Sequence, residues 1–472
     1  IRGLVGSEMC IRDRYFISAG SGSTDSSIQG MSLTDGRLRW AGGGGTNYEW
    51  SIARLRDPSA WYHFVTVFDS NQPNQQDRLK WYINNVQDIS DVTAAFSQGF
   101  KYPFNTAITH DIGRWALDRN YIEGYMAAAY LVDGEALPPT AFGHYNNDGV
   151  WVPVDYSGTY GTNGFHLDFS DPDDIGADSS GNGNNFTPNG FDTTDTTSPD
   201  YDWMQDSPTQ NWATLNPLDT GWWYWRGYPS SAGATGTIDY ANLSSNTNVS
   251  GHTVLTQYPQ PGKKLYLEYT TGAGVAPNYG SYFVGFIPKN QNPVGTDYLG
   301  STSNTGSVGF YFDGTIWFNS ASVGSCAGFN NYTNVGLAYD VDTGNVWQAR
   351  DGVWYNGGDP ATGTNPTYTL PAGTLYGFAF NERGNTAATK CFINAGQQPL
   401  KYNIPTGFTT PVSDNMPDAP IKAGTDGFRA LTGPGADILD IAQGSNSTGT
   451  NWDPTITTAV SYTHLTLPTT EA

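Results

Sequence analysis

Trp61-Tyr-His-Phe-Val-Thr-Val-Phe68 and Arg78-Leu-Lys-Trp-Tyr-Ile83 decide the fold. Both runs are rich in β-branched and aromatic residues with partial alternation, as strands with one buried face require. Asp69-Ser-Asn-Gln-Pro73 opens the polar connection between them, and Asn84-Asn85 closes the second run with residues that tolerate positive φ. Two such runs around a polar turn predict an antiparallel hairpin. Asp111-Ile-Gly-Arg-Trp115 follows, and then Tyr121–Val132, closed by Asp133-Gly134. Ala127–Ala129 suit a helix, but Gly124 and the flanking β-formers favour one long strand.

The second half repeats the pattern. Lys264–Tyr269, Tyr282–Ile287, Val308–Phe312, Val335–Tyr339, Asn345–Ala349 and Leu375–Phe380 are short strand candidates. Asp313-Gly314, Thr343-Gly344 and Asp351-Gly352 supply turns between several of them. Thr193–Gln210 is rich in Asp, Thr, Ser and Pro and reads as a polar linker. The expected fold is all-β: two antiparallel β-sandwiches joined by that linker.

Composition agrees with short strands and tight turns. Charged residues make up 14% of the 472, against about 25% in ordinary globular chains. The 57 glycines suit tight turns, and the 14% aromatics argue against a disordered chain, which would lack them. Net charge is −22, and only seven of the 44 acids are Glu. Such a surface repels nucleic-acid phosphates and anionic membranes, so neither is an expected partner. Asp is also a good turn residue, which accounts for its abundance without any ligand. No apolar run approaches the ~20 residues of a membrane span. Cys326 and Cys391, the cysteines away from the N-terminus, fit either buried small apolar positions or a single bridge.

The two ends carry a coding symmetry. Glu8–Asp13 can be spelled GAG ATG TGT ATA AGA GAC, whose reverse complement translates as Val460–Leu465. Residues 1–14 and 460–472 are therefore expected to be translated sequencing adapter, with the natural product extending past both ends.

The first half resembles the laminin-G-like, concanavalin-A-like jelly roll. The residues that carry this are W-Y-H-F-V-T-V-F-D from Trp61, L-K-W-Y-I-N-N-V from Leu79, I-G-R from Ile112 and I-E-G-Y-M-A-A-A-Y-L-V-D-G from Ile122. The pattern's usual Gly is Asn85 here. L-D-F at Leu167–Phe169 and D-S-S-G-N-G-N-N-F from Asp178 also resemble that family, though they follow strands they ordinarily precede. In the second half, G-K-K-L-Y-L-E-Y from Gly262, V-G-L-A-Y-D-V-D-T-G-N-V-W from Val335 and F-I-N-A-G-Q-Q-P-L-K-Y from Phe392 resemble a SPRY domain. Asn394-Ala-Gly396 stands where that pattern has Asn-Phe-Gly. The resemblances imply a truncated laminin-G-like jelly roll over 15–191, a linker over 192–213 and a SPRY-like sandwich over 214–410. Residues 411–459 are then a linker or the start of a further domain. The pairing, with its Asp/Gly/Asn-rich connector, resembles phage structural proteins. It implies a virion or extracellular location and other virion proteins as neighbours.

Jelly rolls also host glycoside hydrolases, which need two carboxyls about 5 Å apart. Away from the ends Glu occurs only at 49, 123, 135, 268 and 382, with no two near on one strand. Gly324-Ser-Cys-Ala-Gly328 formally matches a nucleophile elbow but lacks a helix-forming continuation, and it reads as a loop. His63, His110, His144, His166 and His252 show no metal-ligand spacing, and His63 reads as a packed strand residue. Asp178, Ser180 and Asn182 present oxygens at alternate positions, with Gly183 at the turn. They fit either a calcium loop, lacking the usual twelfth-position Glu at Asn189, or a plain Asx-rich turn. Gly221-Trp-Trp-Tyr-Trp-Arg-Gly227 supplies Trp222, Trp223, Trp225 and Arg226 as candidate ligand-binding residues, or as core filling on alternate positions. The expected function is non-catalytic binding of a glycan or protein on a cell surface. A secreted glycoside hydrolase and a bacterial surface adhesin are the alternatives.

Overall fold

The computed structural model describes residues 14–20, 28–41, 48–55, 60–88, 91–92, 97–101, 104–116, 120–122, 124–147, 149–195, 201–216, 237–239, 242–247, 251–255, 259–271, 282–288, 298–302, 306–330, 333–382 and 389–413. Among these residues there is no α-helix, and the regular structure is strand joined by turns. The chain divides into two units, Ile1–Phe142 with Pro153–Met416, and Gly143–Val152 with Pro417–Ala472.

In the first unit the leading strands are β1 (Arg14–Gly20), β2 (Ile28–Thr34), β3 (Arg37–Ala41), β4 (Tyr48–Trp50), β5 (Phe64–Phe68), β6 (Leu79–Ile83), β7 (Val86–Asp88), β8 (Asp91–Val92) and β9 (Thr109–Ile112). One antiparallel sheet runs β8-β4-β3-β2-β1-β9, and a second runs β5-β6-β7. The expected hairpin is present, with Phe64 opposite Ile83 and Phe68 opposite Leu79. Asn84 and Asn85, at φ 48° and 68°, form the turn into β7. Phe16, Leu33, Leu38 and Trp40 from one sheet meet Leu79 and Trp81 from the other in a single core. The Trp40 and Trp81 rings lie 6.2 Å apart, edge to face. Burying each such side chain contributes about 1.5–3 kcal/mol relative to leaving it in water.

Next come β10 (Ala129–Leu131), β11 (Gly143–Tyr145), β12 (Trp151–Pro153) and β13 (Phe165–Leu167). The long strand expected over 121–132 is reduced to Ala129–Leu131, because the strand it pairs with, β13, is only three residues long. Without a partner the flanking backbone has no ladder to join. In the second unit, β11 and most of β12 form a separate two-stranded ribbon.

The remaining strands are β14 (Thr237–Asp239), β15 (Ser244–Thr247), β16 (Gly251–Val254), β17 (Lys264–Thr271), β18 (Tyr282–Pro288), β19 (Val308–Tyr311), β20 (Thr315–Phe318), β21 (Ala321–Ser325), β22 (Asn334–Asp340), β23 (Asn345–Arg350), β24 (Val353–Trp354), β25 (Tyr368–Thr369), β26 (Tyr376–Glu382) and β27 (Thr389–Asn394). One sheet runs β14-β15-β27-β17-β22-β23-β24, with β25 also on β23; the facing sheet runs β16-β26-β18-β19-β20-β21. Each strand expected between 264 and 380 is found within a residue or two of its place. Leu265, Leu267, Tyr269, Val335 and Leu337 from one sheet meet Val284, Phe286, Phe310, Phe378 and Phe380 from the other. The Tyr269 hydroxyl crosses this core to donate to the Ala379 carbonyl at 3.3 Å.

All seven residues of β22 are buried, so its sheet is covered on both faces. The second cover is a strap, 395–413. Thr409 donates to Lys264 O (2.9 Å) and Tyr266 N donates to Thr409 O (2.8 Å), and Phe408 joins Tyr266, Ala338 and Trp347 in a smaller core. The strap in turn meets residues 211–213: Ala213 N donates to Pro411 O, and Trp212 Nε1 to Thr410 Oγ1 (3.1 Å). Gly396 has φ 110°, and a Cβ there would come within 2.6 Å of Trp212 Nε1, so this corner requires glycine. Tyr201, from within the stretch that reads as linker, is 3% exposed.

Candidate functional site

Asp178 and the Asn-rich turn after it form the expected site that lies within the described residues. Pairing of β10 with β13 sets Tyr130 opposite His166, and their rings stack at 4.1 Å with planes 16° apart. Tyr160 continues the stack, 6.1 Å from His166 and within 8° of parallel. The Tyr130 hydroxyl donates to Asp155 Oδ1 at 3.1 Å. Burial, reinforced by Asp155, pushes the Tyr130 hydroxyl well above the usual range, so it stays protonated. His166 is 8% exposed and its Nε2 has no hydrogen-bond partner.

The turn closes beside this stack. Asp178 Oδ1 accepts from His166 N and Ser180 N, each at 2.9 Å. Its Oδ2 accepts from Ser180 Oγ (2.9 Å) and Asn184 N (2.8 Å). Burial works to raise the Asp178 pKa, but the donated hydrogen bonds outweigh it and hold the carboxyl below its ordinary range. Asn182 Nδ2 donates to Gly161 O and Gly164 O, and Asn184 Nδ2 to Gly164 O and Thr162 O. Asp168 anchors the other side, accepting from Ser179 Oγ at 2.6 Å. The structure thus brings Asp178, Ser180 and Asn182 together, with Asp178 receiving four protein donors in the manner of an Asx-rich turn. Among the described residues no group of three or more His, Cys, Asp or Glu is arranged to hold a metal. Trp222, Trp223, Trp225 and Arg226 lie outside the described residues.

The other reactive groups sit in structural settings. Glu49 is 2% exposed on β4, opposite Trp40, and its Oε2 has no hydrogen-bond partner. Burial pushes its pKa up from 4.5 to about 7. Glu268, also 2% exposed, accepts from Tyr266 Oη (2.9 Å), Asn334 Nδ2 (3.0 Å), Lys401 N (3.0 Å) and Tyr402 N (2.9 Å). Glu49 and Glu268 belong to different sheets with different cores, and Glu135 is exposed. His63 exchanges hydrogen bonds with Asn84, and burial lowers its pKa to about 4, leaving the ring neutral. Cys326 and Cys391 are both buried, and no disulfide joins them. Burial lifts the Cys326 thiol to about 12, and no helix follows it, so the 324–328 stretch is a strand end and loop.

Sequence reasoning did not find the Tyr130–His166–Tyr160 stack, because it depends on a strand pairing between residues far apart in the chain. The two buried glutamates left a trace: each sits among aromatic and apolar neighbours, where a charged residue is out of pattern.

No family model and no curated protein matches the chain. Among solved structures, the SPRY domain of human HERC1 aligns at 14% identity over 33% of this chain and 91% of that one, with a TM-score of 0.27. A human SPRY domain aligns at 14% identity over 36% and 96%, with a TM-score of 0.22. Stonustoxin aligns at 10% identity over 33% and 26%, with a TM-score of 0.24. Likenesses at these scores carry no argument about what this chain does.

Proposed function

We propose that this chain is a non-catalytic binding protein of a phage tail or other extracellular adhesion apparatus. Its sandwich loops and the Trp222–Arg226 cluster contact a glycan or a protein on a host surface. Other virion proteins would be its neighbours, and a jelly roll of laminin-G-like type its first half. The observation that carries the reading is how the ionisable groups are engaged. Asp178 and Glu268 each receive four donors from the protein, Glu49 is 2% exposed opposite Trp40, and the Cys326 thiol and His63 ring are held neutral by burial. Groups fixed in this way build the scaffold, which leaves recognition to loops and aromatic faces.

The test is a glycan array probed with the full chain, followed by Trp222→Ala, Trp223→Ala and Trp225→Ala on any glycan retained. Each ring lost from a stacking surface is expected to weaken binding roughly two- to tenfold. Unchanged binding in all three variants would remove that cluster from the contact surface.

A further inference from the structure

Within the first unit, the core built on Trp40 and Trp81 and the larger core of the second sandwich are bridged at two separate places. At the first, Ile122 packs against the Trp40–Trp81 core, and Tyr125, a short step along the chain, packs against the core of Tyr269 and Phe378. The Tyr125 ring also lies 6.5 Å from that of Trp61. Tyr62 and Phe64, beside Trp61, pack against the Trp40–Trp81 core. Tyr125 thus touches an element of one sandwich while packed against the interior of the other.

The second bridge runs through the β10–β13 pair. The Asn105 side chain donates to Asp133, just past β10, and the adjacent Phe104 ring lies 5.1 Å from that of Trp40. β13 leads into Phe169, whose φ of 52° is a backbone conformation that a bulky side chain disfavours. Such a residue persists where its surroundings over-determine it. Here its carbonyl accepts from Trp203 Nε1 at 2.8 Å. Met204, next along, packs against the core of the second sandwich. Gln205 N donates to Gln397 O (2.8 Å), and Gln398 Nε2 donates to Tyr201 O (2.9 Å). The stretch 201–205 is therefore pinned on one side to the end of β13 and on the other to the strap.

Domains joined by a polar linker move relative to one another by default. A single contact would still serve as a hinge, whereas two that rest on different residues oppose rotation about either. Parting the sandwiches exposes the packed faces of Tyr125 and Met204 and breaks the Trp203 hydrogen bond, so separation costs free energy at both bridges. We infer that the two sandwiches and the β10–β13 pair form one cooperative body, clamped at Tyr125 and at Trp203–Met204. The stretch 192–213 then acts as part of a clamp, and the loops of both sandwiches are presented in one fixed orientation, whatever they contact.

The test perturbs one core and reads the other. Hydrogen exchange of the full chain over a urea series follows the amides of β5–β6 in one sandwich and of β22–β23 in the other. Leu79→Ala opens a cavity in the Trp40–Trp81 core, and Leu79→Val does so more gently should the first variant fail to fold. The expected result is that both sets of amides shift to lower urea together and by the same amount. Trp203→Phe, which keeps a ring but removes the donor, cuts the second bridge, and Tyr125→Ala cuts the first. With both cut, the same Leu79 substitution is expected to move the β5–β6 midpoint alone. A β22–β23 midpoint that does not follow the Leu79 substitution in the otherwise wild-type chain, or follows it less far, would overturn the inference and leave 192–213 a linker. Midpoints that still move together with both bridges cut would overturn the assignment of the clamp to Tyr125 and Trp203.

Discussion

Glu49 shows what a single buried carboxyl does to this fold. It lies opposite Trp40 in the register of β3 and β4, and burial alone accounts for the rise of its pKa to about 7. The folded state therefore binds this proton more tightly than the unfolded chain does. The stability it contributes is complete below about pH 4.5 and is lost as pH rises through about 7. Urea unfolding at pH 5 and pH 8 is expected to show a loss on the order of 2–3 kcal/mol in the wild type. Glu49→Gln should remove most of that slope, and an equal slope in both proteins would contradict the assignment. Asp178 behaves in the opposite sense, its carboxyl held low by four donors from its own turn. Asp178→Ala is expected to cost roughly 1–3 kcal/mol by orphaning those donors. If the turn is a plain Asx-rich one, calcium or a chelator leaves the wild-type melting temperature unchanged, whereas a calcium-dependent rise would favour the metal reading of Asp178, Ser180 and Asn182.

At the scale of elements, the strap over β17 and β22 depends on Glu268. Its two oxygens receive the N–H groups of Lys401 and Tyr402, fixing the strap where β27 has left the sheet. Glu268→Ala leaves these donors, with Tyr266 and Asn334, without their acceptor. It is expected to cost on the order of 3 kcal/mol and to open 397–413 to proteolysis before the rest of the sandwich. Strap protection equal to wild type would show that Thr409 and Phe408 suffice. The strands of this sandwich were legible because β17, β18, β22, β23 and β26 are rich in aromatic and β-branched or other apolar residues, with Thr343-Gly344 and Asp351-Gly352 marking turns beside β22 and β23. The strap was not, since its pairing partners lie more than 100 residues away and its sequence has no period. The shortening of β10 was hidden for a related reason: strand length is set by the partner, and β13 is three residues long. Of the candidate sites, the Asp178 turn could be read from its Asn and Gly spacing, whereas the stack beside it arises only from cross-strand pairing.

For the whole molecule, the proposed function places recognition in the surfaces and loops of an acidic chain whose described residues are built from strands. The described carboxylates with raised or lowered affinity for protons act on the stability of the scaffold, each in its own core or turn. The proposed function is that the chain recognises without transforming what it recognises. The most direct test is to incubate the full chain with the host-surface glycans it retains, elute them and measure their masses. Retention with every glycan recovered at its original mass is the predicted result; recovery of shortened saccharides would contradict it.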